Sequence, residues 1–149
     1  MNALSLEEVR GLRLILINNS VAVAIIPLSL KEDYDNLYFN MASKIKNILN
    51  LLKKYKPEKV ILFGSHARGS TDSYSDIDLI IIKRTKKPFL DRIKDVLKII
   101  KPNFAIDVLV YTPEEFRKMT SEGNPFLEYV IKDGRVIYEK SLSRIKTMV

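Results

Sequence analysis

The sequence contains no cysteine and a single histidine among its 149 residues. The lack of cysteine excludes disulfide bonds, thiolate catalysis and cysteine-based zinc sites. One histidine is too few for a multi-histidine metal centre, so any bound metal must take mainly oxygen ligands. That requirement favours a hard cation such as Mg²⁺.

The chain also lacks a run of the roughly 20 apolar residues that a membrane-spanning helix needs. The stretch 14–30 is interrupted by polar residues and Pro27, and no small-residue cleavage site typical of a signal peptide is evident. We therefore predict a cytoplasmic protein. The β-branched runs 14–17 and 21–26 flank a turn-like Asn18-Asn19-Ser20, which favours a strand pair. A helical segment at a partner interface is the alternative.

Composition indicates a folded globular chain, because 46% of the residues are hydrophobic and 29% are charged. The length predicts one domain and an appendage, which we place as an extension over residues 1–40 and a main domain over 41–149. The net charge of +7 is typical of a solvated surface. Alternatively, it creates a field that attracts ATP, RNA or an acidic protein. No basic cluster is interleaved with aromatics as base stacking requires.

Apolar spacing and turn residues place the secondary structure of the main domain. The predicted elements, in chain order, are helix 31–54, strand 59–63, strand 77–82, helix 88–100, strand 104–111, a helix beginning at Pro113 with Thr112 as its N-cap, a helical segment 126–131, and strand 135–139. This order predicts an α/β (α+β) fold with a small mixed sheet and flanking helices.

Two aspartates open one of the predicted strands. Asp76 and Asp78 are two residues apart, so their side chains share a face. Carboxylates this close repel each other and are costly to bury, and a divalent cation would remove both costs. For Asp-x-Asp alone, a solvated strand start remains the commoner interpretation.

A second motif precedes this pair. Gly64-Ser65 follows a predicted strand and opens a predicted turn of helix ending at Arg68. Glycine permits close backbone approach, and the helix start and the serine hydroxyl offer donors to phosphate oxygens. Arg68 could reach a phosphate or a partner, or it could cap the turn or pair with Asp72. A Gly-Ser dipeptide alone is common.

Asp107 strengthens the interpretation of these motifs as one site, because it stands within the apolar run 104–110. A charge inside such a run is rarely structural. If this strand lies beside the one that carries Asp76 and Asp78, the three carboxylates converge. They could then hold two Mg²⁺ ions about 3.5–4 Å apart for displacement at phosphorus. Asp107 could also accept the proton of the attacking hydroxyl.

The combination resembles the minimal nucleotidyltransferase (MNT) family of the DNA polymerase β-like superfamily. The likeness covers about residues 41–140 and rests on Leu62-Phe63-Gly64-Ser65-His66-Ala67-Arg68-Gly69, Ser75-Asp76-Ile77-Asp78-Leu79, Ile106-Asp107-Val108 and the stretch 124–138. The resemblance implies a polymerase β-like palm and ATP as the nucleotide. It also implies Mg²⁺ on Asp76 and Asp78, Asp107 as third ligand or base, and triphosphate contacts at Gly64 and Ser65.

The resemblance further implies a partner. Family members commonly pair with HEPN-domain toxins, and the MNT antitoxin moves AMP from ATP to a tyrosine of the toxin. Nucleic acid is not expected as a direct substrate, and a homo- or hetero-oligomer is compatible with this role. Two alternatives remain open: transfer to a small molecule or an RNA end, and a non-catalytic module that neutralises its partner by contact. Residues 1–40 depart from the family and would be an added interface or a misassigned start.

Four further residues invite a catalytic role but are predicted to be structural. His66 could shuttle protons, but we expect an exposed variable position. Tyr74 and Tyr111 could stack on adenine, but tyrosines in loops and at strand ends usually pack. Asp72 is interpreted as a turn residue.

Overall fold

A computed structural model describes residues 12–17, 20–25, 31–68 and 76–140 of the chain. By its internal contacts the chain divides into two compact units, Met1–Ile45 and Lys46–Val149. Within the described ranges, no helix combines the length and apolar character needed to cross a membrane. The predicted division at residue 40 stays a prediction.

The first unit contains a β-hairpin. Strands β1 (Leu12–Ile17) and β2 (Ser20–Ile25) pair antiparallel, from Leu12 opposite Ile25 to Ile17 opposite Ser20. The strand pair expected from the two β-branched runs is therefore confirmed, and the helical alternative is wrong. Helix α1 (Lys31–Leu52) begins in this unit and ends in the second, where a short 3₁₀ turn, Lys53–Tyr55, follows it.

The second unit contains a four-stranded mixed sheet and its helices. Its elements are β3 (Lys59–Phe63), β4 (Ile77–Ile82), α2 (Phe89–Ile100), β5 (Ile106–Tyr111), α3 (Pro113–Ser121), α4 (Pro125–Asp133) and β6 (Arg135–Glu139). The strand order is β5-β4-β3-β6, with β4–β5 parallel and the other two pairs antiparallel. The predicted element order and the mixed sheet are confirmed. The strand predicted from Phe104 begins two residues later, at Ile106.

Both faces of strand β4 are covered, since its four residues 79–82 are all buried. One face packs against the last two helices, in a cluster of buried residues formed by Ile61, Phe63, Ile80, Ile82, Leu127 and Val130. Alternation sends Leu79 and Ile81 to the opposite face. A strand buried on both sides needs an unbroken apolar run, which Leu79-Ile80-Ile81-Ile82 supplies.

An ion pair between buried Arg92 and partly exposed Glu115 joins α2 to the start of α3. Arg92 is only 6% exposed, and its guanidinium donates to both carboxylate oxygens of Glu115 at 2.6 and 3.0 Å. It also donates to the carbonyl oxygens of Lys87 at 2.7 Å and Val110 at 3.3 Å. Glu115 in turn accepts from the Thr112 backbone, completing the capping box of α3. The predicted Thr112 cap is confirmed, whereas the role of Arg92 was not predicted.

Candidate functional site

The register of two neighbouring strands brings two of the predicted acids together. Parallel pairing of β4 with β5 sets Asp78 directly opposite Asp107. Residues paired across a sheet point to the same face, which here is the face of Ile80 and Leu109. The condition on which the sequence argument depended, that the Asp107 strand lies beside the Asp78 strand, is therefore met.

The electrostatics of Asp78 reflect this crowding. Partial burial raises the pKa of its carboxyl above the usual range, and the negative charges of Asp107 and Asp76 raise it further. The nearby His66 opposes this rise in the pKa of Asp78. The ionised Asp78 is therefore held in an unfavourable environment, and a cation between the carboxylates would relieve it.

Gly64 lies against the same carboxylate. Strand β3 ends at Phe63, which pairs with Asp78, and Gly64 follows with φ = 75°. A Cβ built on Gly64 would collide with the Asp78 carboxylate oxygen. Two constraints therefore demand glycine here, the left-handed backbone and the close approach of Asp78. The backbone of Gly64 thus closely approaches the carboxylate of Asp78, one of the candidate metal ligands.

We expect Gly64→Ala to lower the free energy of unfolding more than Gly123→Ala does. Gly123 is a matched control because its φ is 70°, yet its Cβ would meet only a Glu128 oxygen at 3.6 Å. The control should lose about 1 kcal/mol from its backbone conformation, and Gly64→Ala about 1–2 kcal/mol more. Urea unfolding measures both. The excess should vanish in an Asp78→Ala background, and an excess that persists there would contradict the steric explanation.

The segment after Gly64 departs from the prediction in two ways. Residues 65–68 form hydrogen-bonded turns rather than a turn of helix, so no helix start lies at Ser65. His66 is 7% exposed and therefore buried, contrary to the exposed position expected. Arg68 is exposed, and its guanidinium carbon lies 5.9 Å from the centre of the Tyr129 ring. Arg68 is thus placed over α4 on the face of the sheet that carries Asp78.

The other predicted residues are placed as follows. Asp76 is exposed and immediately precedes β4, and Asp107 is exposed as the second residue of β5. Asp107 therefore lies near the start of its strand rather than in the middle of it. Tyr111 packs as expected, with its ring centre 5.6 Å from that of Phe89. Asp72 and Tyr74 lie outside the described residues.

The carboxylate donors fit a hard cation whose coordination is completed by substrate phosphates. Within the described residues, no group of three or more acidic or histidine side chains is arranged as a ready-made metal cage. Asp78 and Asp107 are nevertheless neighbours, and Asp76 is close enough to affect Asp78. Mg²⁺ is commonly held by one or two carboxylates together with substrate phosphates and water. Two adjacent carboxylates beside a glycine turn suit that mode of binding.

Comparison with known proteins also indicates nucleotidyl transfer. The family described as polymerase beta, nucleotidyltransferase matches residues 43–143. A proposed protein adenylyltransferase of Methanocaldococcus jannaschii is 34% identical over 102 residues, 66% of this chain and 99% of that protein. A chain from a toxin–antitoxin structure with AMP-PNP is more distant, at 18% identity over 64% of this chain and 73% of that one, with a TM-score of 0.45. That likeness is too weak to bear on this chain.

The fold has a counterpart among solved structures. A proposed nucleotidyltransferase from Sulfolobus solfataricus superposes with a TM-score of 0.52 at 23% identity, covering 72% of this chain and 87% of that chain. This likeness confirms the predicted fold class. The family match spans both the glycine turn and the three aspartates, and it agrees with the range 41–140 expected from the motifs. The chain therefore belongs to the polymerase β nucleotidyltransferase family, and the predicted enzyme class, nucleotidyltransferase, is confirmed.

Proposed function

We propose that this enzyme transfers AMP from ATP to a hydroxyl group of a partner protein, with pyrophosphate as the leaving group. The observation that carries the proposal is the register that sets Asp78 opposite Asp107, directly beside Gly64. In a nucleotidyltransferase, carboxylates held side by side next to a close backbone turn are suited to a metal-bound triphosphate.

A protein acceptor is supported by relatives. The Methanocaldococcus jannaschii relative, which this chain covers almost completely, is named for protein adenylylation. The motifs around Gly64, Asp76–Asp78 and Asp107 resemble those of MNT antitoxins, which act on HEPN toxins. We therefore propose a HEPN-domain toxin as the partner, one of its tyrosines as the acceptor, and neutralisation of the toxin as the outcome.

The residues take distinct roles in this proposal. Asp76, Asp78 and Asp107 would hold Mg²⁺ together with phosphate oxygens, and the bound cation would neutralise charge that develops on the phosphates. Gly64 and Ser65 would approach the phosphates through the backbone and the serine hydroxyl, with Arg68 as a further contact. Asp107 is exposed and therefore accessible to an acceptor, so it would also take the hydroxyl proton.

The bonds balance in a single displacement. The acceptor oxygen forms a bond to the α-phosphorus, and the bond from that phosphorus to the pyrophosphate oxygen breaks. The proton of the hydroxyl passes to Asp107, and the electron pair leaves with pyrophosphate. An in-line arrangement of the two oxygens is what the cation and the phosphate contacts would secure.

A labelling experiment tests this function. The protein is incubated with Mg²⁺, ATP labelled at the α-phosphate, and the protein encoded by its neighbouring gene, and then compared with Asp76→Ala/Asp78→Ala. Label on the neighbour that is lost with the double variant is the expected result. Neutralisation of the neighbour by the double variant, without label, would reject the proposal in favour of a module that acts by contact. Label on RNA or on a small molecule instead would reject the protein acceptor.

A further inference from the structure

A surface cavity lies at the opposite end of the sheet from the three aspartates. Its volume is about 560 Å³, and we call it the lysine pocket. It is lined by Lys54, Tyr55, Lys56, Lys83, Thr85, Lys87, Asp95, Lys98 and Ile99. Lys83 follows the last residue of β4, whereas Asp78 is the second residue of that strand. Asp78 and Lys83 are five positions apart along an extended strand, which corresponds to about 17 Å, so the two sites are distinct.

The pocket concentrates positive charge. Its lining contains five lysines and one aspartate, an excess of four positive charges. Lys87 is paired with Asp95 at 2.6 Å, which leaves the others without a carboxylate from the lining. Across the ranges that the structure describes, Lys54, Lys56 and Lys98 form no salt bridge.

The fold holds Lys83 against the segment that carries Lys56. The Lys83 ammonium lies 4.7 Å from the centre of the Tyr55 ring and donates to the Lys56 carbonyl oxygen at 3.4 Å. Burial and the positive charge of Lys56 both lower the pKa of Lys83, and Glu58 opposes them. Gathering like charges in one cavity is unfavourable for the free protein, and a bound anion would reverse that cost.

We propose that the lysine pocket binds a small polyphosphate anion, either inorganic or the phosphate chain of a nucleotide. Its volume lies within the roughly 300–1,000 Å³ of small-molecule sites. Lysine binds phosphate as a point charge without a fixed fork geometry, which suits several phosphates in one cavity. The lining offers one aromatic ring, Tyr55, rather than the series of stacking platforms of single-strand binders, so a compact anion is favoured over RNA. This inference is independent of the proposed function, because it uses none of the aspartates at the other end of β4.

Calorimetric titration of the full chain with inorganic tripolyphosphate, and separately with ATP, in the presence of a metal chelator tests the proposal. The test variant is Lys54→Gln/Lys98→Gln. The control is Lys118→Gln/Lys132→Gln, which removes the same charge from α3 and α4. We expect tripolyphosphate binding to weaken about tenfold in the test variant and less than about twofold in the control.

The outcomes separate the interpretations. Equal losses in the two double variants, or no binding by the wild type, would overturn the proposal. Tighter binding of a short single-stranded RNA than of tripolyphosphate would also overturn it, because the pocket would then belong to a nucleic-acid surface. Tighter binding of ATP than of tripolyphosphate, with the difference lost in Tyr55→Leu, would identify a nucleotide. Equal binding would identify the phosphates alone. Thermal unfolding of each variant checks that it remains folded.

Discussion

Asp78→Asn is expected to abolish nucleotidyl transfer while leaving the protein at least as stable as the wild type. The substitution removes the central one of the three carboxylates that would hold the cation with the phosphates. Loss of several kcal/mol of charge stabilisation in the transition state corresponds to a rate about a thousandfold or more lower. The measurement is the initial rate of transfer of α-phosphate label under saturating ATP.

The stability half of this prediction follows from the pKa of Asp78. Because its folded-state pKa is raised, the ionised carboxylate destabilises the fold at neutral pH, and a neutral amide does not. The melting temperature of Asp78→Asn should therefore equal or exceed that of the wild type at pH 7. The difference should shrink as the pH falls and wild-type Asp78 becomes protonated. Asp91→Asn, an exposed carboxylate in the first turn of α2 that pairs with Lys94 at 3.7 Å, is the control; it should leave the rate unchanged and lower the stability by less than about 1 kcal/mol. An active Asp78→Asn enzyme would contradict the assigned role.

The largest expected effect on stability is at Glu115. Removing its carboxylate leaves Arg92, whose side chain is only 7% exposed, as a buried charge without its bidentate partner. Breaking a fully buried pair costs about 3–5 kcal/mol, and because the Glu115 side chain is itself 41% exposed we expect about 2–3 kcal/mol here, which includes the loss of the capping box of α3. That is a large share of the roughly 5–15 kcal/mol that stabilises a domain. Chemical unfolding of Glu115→Ala measures it.

The adjacent residue provides a matched control. Glu114 is exposed and meets Arg84 and Arg117 only at 3.4 Å, so Glu114→Ala should change stability by less than about 0.5 kcal/mol. Thr112→Ala removes the cap alone and should cost about 1 kcal/mol. Comparable losses for Glu114→Ala and Glu115→Ala would show that the pair of Arg92 with Glu115 contributes no more stability than an exposed one.

The same pair predicts a pH dependence. The hydrogen bonds from Arg92 hold the pKa of Glu115 below its usual value of 4.5. A lowered folded-state pKa contributes stability above pH 4.5 that disappears as the pH falls through the lowered value. The advantage of the wild type over Glu115→Gln should therefore be constant at neutral pH and shrink below about pH 4.5. A constant difference down to pH 3 would contradict the ion pair.

Local sequence signals were enough for much of the fold. The stretch 77–82, apolar except for Asp78 and followed by a charged stretch, predicted strand β4 with its observed bounds. Thr112, followed by a proline and by Glu115 three residues later, predicted the start of α3. These signals act over a few residues, so periodicity and capping chemistry capture them.

What the sequence left open depends on contacts between distant segments. The pairing of Asp78 with Asp107 was conditional on the order of strands in the sheet, which no local pattern encodes. The burial of Arg92 could not be predicted, because a charged residue on a helix is usually solvated. Only the ion pair with Glu115, 23 residues later, makes that burial favourable. His66 was expected to be exposed because its sequence neighbours do not show that it is covered in the fold. It is the register of β4 with β5 that brings Asp107 to Asp78.

The arrangement of Asp78 and Asp107 as a cation site for the triphosphate is tested most directly by a crystal structure with Mn²⁺ and an ATP analogue that cannot be cleaved at the α-phosphate. The account predicts an anomalous scattering peak between the Asp78 and Asp107 carboxylates, with the phosphates beside Gly64 and Ser65. A cation bound elsewhere, with the triphosphate away from β4 and β5, would contradict it.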